Sequence, residues 1–289
     1  MINLWYEESY WAHAGGRLSG PEKVVKNTIE ALKEECIDFS INQNKYSFNY
    51  LIQYQHEIAH KKHENLEHNT CVIGPQFWPF DSYGKFLIEN TQYYKKLIAP
   101  GYWVKDKLVN KFNVPFDKVS ILAAPIKAPD ISNSQSIDCL IYYKSRPIEH
   151  LERVKSFLST KGLTYLELNY GGYSQNDFKD ALSKVRFCII IDNTESQGIA
   201  IQEMMAVSKP LLVWDVKEWD YMGDKYKIPA SSVPYWSDDC GEKFYTIDEL
   251  EFTFNKFYDN IDKYDPKKLI DSELSYKVSV EKLLKIFEE

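Results

Sequence analysis

Short apolar runs of strand length recur along the chain, separated by longer stretches in which apolar positions repeat every three or four residues. Residues 2–6 open as a strand. A glycine-rich turn follows, His13-Ala-Gly-Gly-Arg-Leu-Ser-Gly20, and then Val24, Val25, Thr28, Ile29 and Leu32 mark one face of a helix. Pro21, directly after Gly20, suits the first turn of that helix. Further strands are predicted over residues 50–54, 70–73, 96–99 and 119–122, with a helix over 103–112. Residues 123–136 hold two prolines and three serines and lack a helical period, which reads as a linker.

After the linker the alternation restarts. Strands are predicted over 139–143, 164–168, 187–191 and 210–214, and helices over 149–160, 176–184 and 198–207. The end of the chain, 247–289, reads as helical and charged. Strands alternating with helices imply parallel sheets with right-handed crossovers. The expected fold is therefore α/β in two domains, residues 1–126 and 137–289, with ligands at the carboxyl ends of the strands in the crevice between them.

Composition narrows the classes of function. Of 289 residues 44% are hydrophobic, so the chain has material for a substantial core. A net charge of −7, from 35 basic and 42 acidic residues, argues against a nucleic-acid coat. Residues 1–126 are balanced, with 14 charges of each sign, which leaves room for at most a peripheral membrane contact. No apolar run approaches the roughly 20 residues of a membrane span, and residues 1–10 lack the pattern of a secretory signal. Five scattered cysteines without a C-x-x-C pair fit free thiols in a reducing, cytoplasmic setting.

The densest chemical signal is Phe187-Cys-Ile-Ile-Ile-Asp-Asn-Thr-Glu195-Ser-Gln-Gly198-Ile-Ala-Ile-Gln-Glu203-Met-Met-Ala206. A buried strand ends in polar residues, the chain turns, and Gly198 opens an apolar helix. The first amides of that helix, at Gln197, Gly198 and Ile199, with Ser196 beside them, form an anion site suited to a diphosphate. Glu203, about one and a half turns in, can accept hydrogen bonds from ribose hydroxyls.

This segment resembles the E-x7-E signature of retaining GT-B glycosyltransferases, in particular family 4, at Glu195, Gly198, Glu203, Met205, Ala206 and Pro210. Spacing alone would carry nothing, since Glu22/Glu30 and Glu281/Glu289 share it; the context of strand, glycine, apolar helix and strand carries the match. Gly20-Pro-Glu-Lys-Val-Val is similar to the family's first βα turn, with Gly16 before it. Ile98-Ala-Pro-Gly resembles the end of its first domain, Tyr142-Tyr-Lys144-Ser-Arg146 its basic turn, and Tyr170-Gly171-Gly172 its nucleobase loop. Two departures are evident: Ser145 stands where the family has glycine, and no lysine follows Arg146 in the family's position. Lys144 is the candidate substitute.

The resemblance implies two Rossmann-like domains with parallel sheets facing across a cleft. It implies transfer of a sugar, with retention, from a UDP- or GDP-linked donor to a glycan or other hydroxyl acceptor, without a metal or other cofactor. Glu195 would hold the donor sugar, with His13 as a second catalytic candidate. Lys144, Arg146, Tyr170, Gly171, Ser196, Gln197, Gly198, Ile199, Glu203, Gly16 and Gly20 would line the donor site. Two other readings stay open. One is a zinc hydrolase on His56-Glu57-Ile-Ala-His60, a literal H-E-x-x-H with His63 one turn on, although Lys61 and Lys62 follow where such a helix is normally uncharged. The other is a catalytically silent nucleotide-sugar binder.

Overall fold

The computed structural model of the chain describes residues 1–7, 19–43, 48–54, 57–132, 134–221 and 224–289. The chain separates into two compact units, Met1–Pro125 with Leu274–Glu289, and Ile126–Glu273.

The first unit holds six strands: β1 (Ile2–Trp5), β2 (Phe39–Ile41), β3 (Phe48–Gln53), β4 (Cys71–Gln76), β5 (Lys96–Ala99) and β6 (Val119–Ile121). All pair in parallel, in the order β2-β1-β3-β4-β5-β6. Its helices are α1 (Gly20–Glu34), α2 (Glu57–His63), α3 (Ser82–Glu89) and α4 (Tyr102–Asp106). Ser19 caps α1, accepting from the Glu22 amide while the Glu22 carboxylate accepts from the Ser19 amide. The helix predicted over 103–112 is α-helical only to Asp106 and continues as a π turn over Lys107–Lys111. Strand β2 escapes the sequence reading because three half-buried residues on an edge carry too little apolar pattern.

The second unit is a five-stranded parallel sheet in the order β13-β10-β9-β7-β8. Its strands are β7 (Ile137–Tyr143), β8 (Tyr165–Asn169), β9 (Val185–Ile191), β10 (Leu211–Trp214) and β13 (Gly241–Phe244), with a separate hairpin of β11 (Glu218–Tyr221) and β12 (Asp224–Pro229). Helices α5 (Ile148–Thr160), α6 (Gln175–Lys184) and α7 (Ile199–Ala206) are the crossovers; α8 (Leu250–Asp259) and α9 (Lys267–Glu273) follow. Alternate strand residues Cys139 and Ile141, Phe187 and Ile189, and Leu212 and Trp214 form one core with Leu151, Val154 and Leu158 of α5 and Phe254 and Phe257 of α8. Burying each large side chain there contributes about 2 kcal/mol.

The last helix, α10 (Tyr276–Glu288), groups with the first unit, whereas the sequence reading places all of 137–289 in the second domain. Its apolar stripe (Tyr276, Val280, Leu283, Phe287) is the reason. Tyr276 also donates to Glu30 of α1 at 3.0 Å, and Lys95 donates to the Phe287 carbonyl.

Candidate functional site

Strand β9 is buried at six of its seven residues and delivers Asp192 at its carboxyl end with 0% exposure. The chain then turns through Glu195 to Gly198, the N-cap of α7, whose φ of +81° is left-handed. A Cβ at 198 would meet Ile201 and Glu195 only at ordinary distances of 3.6–3.8 Å, so backbone conformation selects the glycine rather than space. Two buried glutamines lock the turn: Gln197 donates to the Gln202 side chain at 2.9 Å, and Gln202 donates back to the Gln197 carbonyl at 3.1 Å. The Glu195 amide donates to the Ser231 carbonyl at 3.0 Å. Asp215, at the end of β10, holds that second loop by accepting from Ser231, Ser232 and Lys243.

Facing this loop is the segment after β7. The Lys144 ammonium pairs with the Glu195 carboxylate, lies 3.8 Å from Asp192 Oδ2 and sits over the Tyr170 ring, 4.4 Å from its centre. Burial works against that charge, but Glu195 and Asp192 together outweigh it and hold the Lys144 pKa above its ordinary value. Ser145 is left-handed, with φ of +52°, so this serine keeps the backbone geometry that favours glycine.

Arg146 is committed to the backbone. It donates to the carbonyls of Asp192 at 2.7 Å, Trp214 at 2.8 Å and Asp215 at 3.0 Å, tying together the ends of β9 and β10. The phosphate role expected of it therefore competes with three internal bonds, and Lys144 is the cation presented beside Glu195. Tyr170 is 54% exposed, and Gly171 is left-handed with φ of +79°. Behind them the Tyr173 hydroxyl donates to that of Tyr142 at 3.4 Å. Burial raises the Tyr173 pKa, and the Glu203 carboxylate adds to the shift. Lys144, Tyr170, Gly171 and Glu195 to Ile199 thus lie at the carboxyl ends of β7, β8 and β9, with Glu203 further along α7. Sequence reasoning missed Asp192 and the Gln202 brace, whose only signal was polarity inside apolar runs.

Gly20 lies in the first unit as the opening residue of α1 and meets no neighbour that a Cβ would touch. His13, Gly16 and His56 lie outside the described residues. The zinc reading does not fit the remaining histidines. The Nδ1 atoms of His60 and His63 both meet the Tyr54 hydroxyl, at 3.0 and 2.8 Å, and His63 Nε2 donates to the Tyr93 carbonyl at 2.6 Å. Glu57, the expected general base, pairs with Lys61 at 2.5 Å. Among the described residues no group of three His, Cys, Asp or Glu could hold a metal, and no helix is long and apolar enough to cross a membrane.

Burial lowers the His63 pKa to about 4, against the opposing bond to Tyr93. The folded value lies below the unfolded one, so the unfolded chain takes the proton first and stability falls as pH drops from about 6.5 towards 4. The expected loss is on the order of 3 kcal/mol. Denaturation curves across that window should show it, with the slope flattened in His63→Gln; equal slopes in the two proteins would refute it.

No family model and no curated protein matches the chain. Several solved structures are similar in fold. The lipopolysaccharide outer core galactosyltransferase WaaB in its apo form aligns over 99% of both chains at 10% identity and a TM-score of 0.61. Sucrose-phosphate synthase from Thermosynechococcus elongatus aligns over 99% of this chain and 98% of its own at 7% identity and 0.57. A variant of TarM from S. aureus, in complex with fondaparinux, alpha-GlcNAc-glycerol and UDP, aligns over 91% of this chain at 13% identity and 0.55. The chain spans 58% of the length of TarM. At such identities the likeness is one of fold: two Rossmann-like units of the GT-B type.

Proposed function

We propose that the chain is a retaining glycosyltransferase that takes a sugar from a UDP- or GDP-linked donor to a hydroxyl of a glycan or other acceptor. The observation that carries this reading is the pairing of Glu195 with Lys144 at the mouth of α7, directly before the left-handed Gly198.

A helix start leaves its first amides without intrahelical partners, so the turn from Ser196 to Ile199 suits the diphosphate, and Lys144 supplies the counter-charge. As the bond to the sugar breaks, negative charge grows on the leaving diphosphate. Donors already aimed at it stabilise the transition state more than the ground state, by about 3 kcal/mol for a single well-placed donor. The buried glutamine pair fixes that aim. Glu195 orients the sugar through its hydroxyls, Glu203 receives the ribose, and the exposed Tyr170 ring offers a face to the base.

No side chain is assigned as nucleophile, and attack of the acceptor on the face the diphosphate leaves accounts for retention. With Lys144 and the amides supplying the charge, transfer is proposed to need no metal. Five free cysteines, four of them buried, support a cytoplasmic setting, and the net charge of −7 speaks for at most a peripheral membrane contact and against a nucleic-acid partner.

Glu203→Ala is expected to weaken binding of the preferred nucleoside diphosphate about ten-fold, the loss of charge-assisted hydrogen bonds to one ribose. Calorimetry with UDP and GDP reads it, and equal affinity in both proteins would count against the ribose role. Product anomers followed by NMR during donor turnover test retention directly.

A further inference from the structure

Asp192 is the least accessible charged group beside the Lys144–Glu195 pair. The residue is fully buried; Oδ1 accepts the Asn193 amide at 2.7 Å, while Oδ2 is buried without a hydrogen bond. That second oxygen lies 3.8 Å from Lys144 Nζ, too long for a hydrogen bond and close enough for strong attraction. One ammonium thus stands between two carboxyl groups and is bonded to only one of them.

We propose that Asp192 is a positioning residue of the anion site: sealed beneath Lys144, it sets through its own charge how strongly that ammonium is offered to a diphosphate, without touching the ligand. The inference rests on the reading of this loop as a nucleotide site.

Burial, and after it the nearby charge of Glu195, push the Asp192 pKa up to about 8; Lys144 and the Asn193 amide oppose them. Below that value the acid is neutral, and the three groups sum to no net charge. Above it they carry one extra negative charge, and an anion approaching Lys144 meets repulsion. Among the described residues Tyr170 and Tyr173 also face this cluster, and burial raises the Tyr173 phenol. Burial pushes the Tyr142 phenol far up, so it stays neutral. Arg146 stays cationic and is occupied by carbonyls, and Asp215 is paired with Lys243 at 2.8 Å.

The test is binding of UDP and GDP to the full chain and to Asp192→Asn from about pH 7 to about pH 9. The natural protein should lose affinity on the order of ten-fold over that range, while the variant stays near its value at the lower pH. Parallel pH slopes in the two proteins overturn the role of Asp192 and leave the nucleotide site standing. Absence of diphosphate binding by both proteins overturns the site reading and this inference with it. Thermal unfolding without nucleotide gives a second measure. A folded pKa above the unfolded one means that stability falls as pH rises towards 8, so the variant should gain on the natural protein across that range. Melting temperatures that run parallel would show that Asp192 keeps one charge throughout and would overturn the proposal.

Discussion

Replacing Glu195 with glutamine is expected to lower sugar transfer by about 10²–10³-fold, while free nucleoside diphosphate binds at least as tightly as before, because Lys144 loses its paired carboxylate. The side chain is 15% exposed and its amide is anchored on the Ser231 carbonyl, so the glutamine occupies the same place. What changes is charge. An amide oxygen still accepts from Lys144 but grips sugar hydroxyls less tightly and offsets less positive charge developing on the sugar ring. Steady-state kinetics with the preferred donor read the effect, and the loss should fall on kcat more than on KM. A variant that turns over normally would remove Glu195 from the catalytic role.

Arg146→Lys is expected to destabilise the second unit by about 3 kcal/mol. The guanidinium spans carbonyls from two strands at once, and a lysine ammonium, a point donor on a flexible stem, cannot reach all three in that geometry. Any carbonyl left without a partner carries its desolvation cost. Denaturant midpoints measure this without any ligand. If Arg146 were purely a phosphate ligand, the midpoint would stay put and only nucleotide affinity would fall.

Strands β7 to β10 of the second unit were legible in the sequence one by one, whereas the hairpin of β11 and β12 was not. Runs such as Phe187 to Ile191 are apolar enough to be read as buried parallel strands, and the helices between them carry clear apolar stripes. Strand β13 was not legible, because Gly-Glu-Lys-Phe has a single apolar residue, Phe244, and shows no alternation. Glu195, Gly198 and Glu203 stood out because glycine, charge and apolar helix fall at set distances along the chain. Arg146 and Asp192 could not be read that way. Their roles depend on which carbonyls and which ammonium the fold brings near them, from as far as 69 residues away in Arg146's bond to Asp215. The H-E-x-x-H match misled for a related reason: Tyr54, which occupies two of the histidines, lies outside the motif.

The return of α10 to the first unit bears on how the polypeptide is made. The second unit is one unbroken segment, Ile126–Glu273, whereas the first is assembled from two pieces. Domains ordinarily complete themselves in the order in which the ribosome delivers them. Here the order is inverted: the half of the chain translated first waits for Leu274–Glu289, and the half translated second has everything it needs before that. Until α10 arrives, the surface of α1 that it covers stays open to water and to other nascent chains, so the interval most exposed to aggregation belongs to the N-terminal half.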